Sequence, residues 1–221
     1  VIVECSDERF FSMMNRLISN ILQQNIIGAE NIISLFKSER LFWSGVPNLM
    51  TQEKAAGLFG ELFILWKWLP DQIVEIIQND WWNGPNGSDK DFNFNDLQIE
   101  VKTTMNNSSP VQHIISTLNQ LQSDGLPLVL FSLVAHPDEG GSHSLCQLVD
   151  QISNILSDHS DKLKNDFSDL LEENDFIVGH PEMEQYKFSL PQENGSFFAV
   201  GDQFPRLTSN DDSNDERIHI E

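Results

Sequence analysis

The sequence predicts an α/β fold, a mixed central sheet flanked by helices, with an N-terminal helical part. Two observations carry this. Over residues 51–135 the patterns run helix, loop, two alternating strands around a tight turn, helix, then a continuous apolar strand. The last of these, "LPLVLFSLVA", has strand length and no polar alternation, as expected of a strand covered on both faces. A length of 221 residues suits one large domain or a core with a helical appendage, and fifteen Phe and five Trp supply a core.

The elements follow in order. "VIVECS" alternates and reads as a strand that continues something upstream, and the chain begins with Val1 rather than Met. A helix to about Gln24 places Phe10, Met14, Leu17, Ile18 and Ile21 on one face, and a second spans about 31–43. Thr51 caps a third, with Lys54 where a capping box would place an acid. It continues through "AAGLFGELFILWKWL" to Pro70 and is apolar nearly all round, so burial is expected. "QIVEIIQ" fits a strand or a short helix. "NDWWNGPNGSDK" is a loop. "DFNF" and "LQIEVKTT" flank the turn residues Asn95 and Asp96 as a β-hairpin. Pro110 opens an amphipathic helix to about Gln122, with Ile114, Ile115, Leu118 and Leu121 on its apolar face. Acidic helices at about 144–157 and 161–173 precede strands at "YKFSL" and "SFFAVG". The expected division is an N-terminal part at 1–50, a core at 51–205 and an acidic, solubilising tail at 206–221.

Charge restricts the partners. Thirteen Lys and Arg against 34 Asp and Glu leave −21, and no Lys or Arg occurs over 103–161. Nucleic-acid binders usually carry a basic surface, so the total weighs against one unless a partner supplies it. Cys5 and Cys146 form no metal-ligand or disulfide pattern and read as buried thiols. No apolar run reaches the ~18 residues of a membrane span, so no membrane partner is expected and the cytoplasm is the expected location. The six His show no zinc spacing, and neither a P-loop nor a G-x-G-x-x-G occurs.

The chemistry concentrates in the hairpin. Alternation puts Glu100 and Lys102 on one face of their strand. The hairpin can bring Asp91 opposite Glu100, with Asp89 a rival of the same parity, and Phe92 and Phe94 turned to the core. Glu61 is the one acid in "GLFGELFILW", and a carboxylate in so apolar a helix wants a partner or a metal; Gly57 and Gly60 would let that helix approach the sheet. Three carboxylates offer hard oxygens for Mg²⁺, with Mn²⁺ as a substitute, and a lysine beside them can assist an attacking water. The bland alternatives are a solvated Glu–Lys pair, a turn aspartate and a helix-edge glutamate. Trp81 and Trp82 could stack on bases, but core packing is the stronger expectation.

Asp91 followed by Glu100-Val101-Lys102 resembles the signature of PD-(D/E)XK, restriction-endonuclease-like nucleases. Together with "GLFGELFILWKWL", the W-x-G-P at 82–85, "HIISTLNQL", "VIVECSD" and "RIHI", it resembles a bacterial PD-(D/E)XK family encoded near restriction and phage-defence genes. The resemblance implies a metal-dependent endonuclease acting on DNA, with Asp91, Glu100 and Glu61 as metal ligands and Lys102 catalytic. It also points to Gln120 as a supporting residue, with Ser116 one turn earlier on the same helical face. Lys90 departs from the pattern, which loosely keeps a proline there. A homodimer or other restriction or defence subunits are the implied protein partners. The competing readings are a non-catalytic nuclease-fold subunit of a defence complex and, more weakly, an acidic nucleic-acid mimic.

Overall fold

A computed structural model describes residues 50–82, 90–106, 110–115, 117–123, 125–191, 195–201, 203–205 and 217–220. The chain divides into two units at the Leu49/Met50 boundary, and all described residues lie in the second. The strand and helices expected before residue 50, together with Asp89 and Ser116, lie outside the described residues.

Helix α1 (Gln52–Lys67) begins where expected. The Thr51 side chain accepts a hydrogen bond from the Lys54 backbone N–H at 3.2 Å, which satisfies one of the donors a helix start leaves open. Its apolar circumference is covered, and Phe59, Leu62, Phe63, Ile64 and Leu65 are fully buried. A 3₁₀ turn at Pro70–Gln72 leads to α2 (Ile73–Gln78), which resolves "QIVEIIQ" as a helix. The hairpin follows: β1 (Phe92–Asn93) runs antiparallel to β2 (Gln98–Thr104), with Phe92 opposite Ile99 and Asn93 opposite Gln98. Phe92 and Phe94 stack on the core side, their ring centroids 6.3 Å apart.

The apolar run is β4 (Leu128–Val134), parallel to β2 with Lys102 beside Ser132 and Glu100 beside Leu130. β8 (Ser196–Ala199) lies antiparallel on its other edge, so the sheet order is β1-β2-β4-β8. This is the mixed sheet the sequence predicts. Strands β5 (His136–Pro137), β6 (His143–Ser144) and β7 (Lys187–Ser189) form a second, three-stranded sheet in the order β5-β7-β6. Helices α3 (Leu145–His159) and α4 (Asp161–Glu173) bury Leu148, Ile152 and Leu156, and Leu163, Phe167 and Leu171, against the main core and expose their acidic faces.

Two expectations need correction. The helix expected over 110–122 is instead β3 (Val111–Ile114) followed by a 3₁₀ turn at Leu118–Leu121. β3 pairs antiparallel with β9 (Arg217–Ile220), a partner about a hundred residues away that helical periodicity does not reveal. The β-branched residues of "VQHII" suit a pleated strand, and Pro110 is as acceptable before a strand as at a helix start. For the same reason 206–221 is not solely a solubilising tail: it ends in a strand.

Residues Val101 and Thr103 face α1, and Gly60 permits the contact. A Cβ at Gly60 would meet Thr103 Oγ1 at 2.0 Å and Val101 Cγ1 at 3.2 Å. Gly57 has open space around it and plays no part in this approach. Gly60→Ala is therefore expected to lower stability by about 1–3 kcal/mol, the usual cost of overpacking. Thr103→Ala in the same chain should restore part of the loss in a urea titration. Equal stability of Gly60→Ala and the parent would mean that α1 does not sit this close.

Candidate active site

Four of the five predicted site residues come together. Asp91 immediately precedes β1, and continuing the hairpin register sets it opposite Glu100. The β1–β2 ladder ends at the Phe92–Ile99 pair, and the next β2 amide on that edge, that of Val101, donates to Asp91 Oδ2 at 2.7 Å. The carboxylate thus replaces a strand partner, and in doing so its own position is set. On β2, Lys102 Nζ lies 2.8 Å from Glu100 Oε1, so the pair forms as expected. It is not on a solvated face: Glu100 is 2% exposed. Glu61 reaches the group from α1, and its Oε2 accepts a hydrogen bond from Trp82 Nε1 at 2.7 Å.

The electrostatics mark these as one cluster. Burial, reinforced by the neighbouring Asp91 charge, pushes the Glu100 carboxyl up to about 7 against the opposing pull of Lys102 and Lys90. Burial and then Asp91 also hold Glu61 well above the ordinary carboxylate range, while the Trp82 hydrogen bond and Lys102 oppose them. Asp91 is raised by burial, against its bond to Val101 and the charges of Lys102 and Lys90. Three partly desolvated carboxylates that repel one another hold protons more tightly than they would in water.

Gln120 arrives differently. It lies half-buried in the 3₁₀ turn that replaces the expected helix, where its backbone N–H bonds to the Thr117 carbonyl at 3.2 Å. The helical face that would have carried it is not formed.

Two further residues take part in the site, in roles the sequence did not assign to them. Trp82 is 1% exposed and pairs as an isolated bridge with Phe92. It packs in the core, as expected of the tryptophan pair, but its indole N–H also orients Glu61. The signal available was the W-x-G-P segment preceding the hairpin. Trp82→Phe removes the donor and also part of a fully buried indole, so it should cost more than the about 1 kcal/mol of the hydrogen bond alone in a denaturant titration; no change would mean that neither the bond nor the packing contributes. Lys90, which the sequence marks only as a departure from proline, is 2% exposed and adds a second positive charge near Asp91 and Glu100. A single sequence offers no signal for that burial.

The family described as "Putative PD-(D/E)XK family member (DUF4420)" matches residues 4–215. The chain belongs to this family. The resemblance noted from the hairpin is borne out, and the mixed sheet with its flanking helices fits the restriction-endonuclease-like fold of PD-(D/E)XK proteins. No curated protein and no solved structure gives a match. Proteins of the PD-(D/E)XK superfamily are usually nucleases that use divalent metals. Among the described residues, no three His, Cys, Asp or Glu side chains close on one point at ligand distance. No helix among them is long and apolar enough to cross a membrane.

Proposed function

We propose that this PD-(D/E)XK family member is a metal-dependent nuclease that hydrolyses DNA phosphodiester bonds, with a restriction or phage-defence role. The observation that supports it most is the Asp91, Glu100 and Lys102 set. One carboxylate is clamped by the Val101 amide and the other is paired with the lysine on a single buried strand. A buried acid and amine side by side are costly to keep. A site that must hold a cation and a phosphate gives them a use.

The carboxylates suit a hard divalent ion, Mg²⁺ or Mn²⁺. Asp91, Glu100 and Glu61 are oxygen donors whose mutual repulsion a cation would relieve. Such an ion supplies charge to a phosphate oxygen and acidity to a bound water. The chain's own residues do the rest. Val101 N–H and Trp82 Nε1–H fix the two acids that flank Glu100 in the cluster. Glu100 holds the Lys102 ammonium in place, where it can offset charge developing on a phosphate and guide a water.

The second reading is a nuclease-fold subunit without activity of its own, and the net charge of −21 favours it because so acidic a total opposes the phosphate contacts that dominate DNA affinity. The test is cleavage of methylated and unmethylated plasmid DNA by the full chain in Mg²⁺, in Mn²⁺ and in EDTA. Nicking or linearisation that needs the metal supports the nuclease. Intact plasmid under every condition, with no heat of metal binding in calorimetry, supports the subunit.

A further inference from the structure

Beside Lys102, on the side away from the hairpin, lies a polar pair that the reading above leaves unused. Ser132 is the parallel-register partner of Lys102, so the two side chains stand next to each other on one face of the sheet. The hydroxyl of Ser132 is 2.6 Å from His113 Nε2, and the two residues are 8% and 3% exposed. His113 comes from β3, which is not part of the four-stranded sheet. Its ladder partner among the described residues is the C-terminal β9, in which Ile218 sits opposite His113. The neighbouring Ile115 is buried with Leu128 and Leu130 on the same side of the sheet, whereas Ile114 is 74% exposed. Among the described residues, the Ile115 side chain and the His113–Ser132 hydrogen bond tie this segment to β4. Burial, and secondarily the Lys102 charge, lower the His113 imidazole to about 4, so near neutral pH the ring is uncharged and does not repel the ammonium.

We propose that His113, carried on β3 by its pairing with the C-terminal strand and hydrogen-bonded to Ser132, is a positioning residue for Lys102. The pair forms a neutral polar wall on the β4 side of the lysine and keeps the ammonium directed to Glu100. The last strand of the chain is by this route part of the site rather than an appendage. The assignment rests on reading Asp91, Glu100 and Lys102 as a nuclease site.

The experiment compares the full chain with His113→Gln, His113→Leu, Ser132→Ala, Ile218→Pro and Lys102→Ala. Plasmid cleavage in Mn²⁺ gives kcat and KM, thermal unfolding checks the fold, and ¹⁵N spectra of the lysine ammonium groups report on Lys102 without any turnover. The Lys102 signal is assigned by its absence in Lys102→Ala. His113→Leu and Ser132→Ala are expected to lower kcat on the order of 10–100-fold with KM unchanged, the usual scale for residues that orient another group. His113→Gln, which is neutral and can still bond Ser132, should stay within about threefold of the parent. Ile218→Pro puts a residue that strand interiors tolerate poorly opposite His113, and should lower kcat as His113→Leu does. The Lys102 signal should move in His113→Leu and remain in place in His113→Gln. Parent kcat and an unmoved Lys102 signal in both His113→Leu and Ser132→Ala would overturn the proposal. If His113→Leu fails to fold, Ser132→Ala decides alone. If the parent does not cleave, or Lys102→Ala cleaves as well as the parent, the nuclease reading fails instead; the Lys102 signal still judges the positioning claim.

Discussion

Lys102→Ala is expected to lower metal-dependent cleavage of plasmid DNA by about 10²–10³-fold, the scale seen when one group that stabilises transition-state charge is removed. The chain should stay folded, although the reason is not obvious. Glu100 is 2% exposed, and breaking a buried ion pair can cost about 3–5 kcal/mol when the remaining charge is stranded. Here the stranded group has an exit. Its carboxyl already titrates at about 7, so near neutral pH it can take up a proton and leave no buried charge behind. Glu100→Gln combined with Lys102→Ala should therefore be about as stable as Lys102→Ala. Asp91→Ala should abolish cleavage to a similar degree, but it also leaves the Val101 N–H without its acceptor, at about 1–3 kcal/mol. Asp91→Asn separates the two effects: it keeps an acceptor oxygen for Val101 and removes the charge, so it should unfold like the parent and cleave like Asp91→Ala. Circular dichroism and thermal unfolding check the fold. Full cleavage by Lys102→Ala or Asp91→Ala would remove these residues from the site.

The second large effect is a pH dependence of stability at His113. Its imidazole is lowered from 6.5 in the open chain to about 4 in the fold, chiefly by burial. Between those values the unfolded chain binds a proton that the folded chain does not. The contribution is whole above about 6.5 and is lost as pH falls through about 4, to a total of about 3 kcal/mol. Glu100 works the other way. With its carboxyl raised from 4.5 to about 7, the folded state keeps a proton that the unfolded chain has released, so its contribution is present below 4.5 and lost as pH rises through 7. The two windows overlap, and the parent's own pH curve will be flatter than either contribution. The difference between variants isolates each. Relative to His113→Gln, the parent should lose about 3 kcal/mol between pH 6.5 and 4 in denaturant titrations without metal. Relative to Glu100→Gln, it should lose stability as pH rises from 4.5 to 7. A parent and His113→Gln that stay parallel across the acid range would mean that the imidazole is not buried neutral.

Legibility from the sequence followed the range of the contacts. α1, the hairpin, β4, α3 and α4 each carry their own signal: a cap, a 2.0 or 3.6 period, or an unbroken apolar run. The signal comes from neighbours in the chain, and local sterics with one-sided burial are enough to form the element. Asp91, Glu100 and Lys102 were legible for the same reason, because hairpin register and strand alternation place all three. Glu61 was legible as an anomaly, an acid where the helix could not leave it unpartnered. β3 was misread because "PVQHIISTLNQL" satisfies a helical period, and only the distant "RIHI" decides in favour of a strand. Gln120 changed its setting along with it.

By itself, then, the sequence determined the α/β class, the order of the main elements, the hairpin and the acid–lysine signature, all set by short-range rules of backbone and burial. The tertiary structure alone decided that Trp82 orients Glu61, that Lys90 is withdrawn from solvent beside two acids, that of the two helix glycines Gly60 and not Gly57 lies against β2, and that the C-terminal strand brings His113 to Ser132. Apart from Lys90, which sits beside its own neighbour Asp91, these are contacts between segments distant in the chain. Their free energy depends on how closely packed surfaces meet and on how much water they exclude, and no local pattern encodes either.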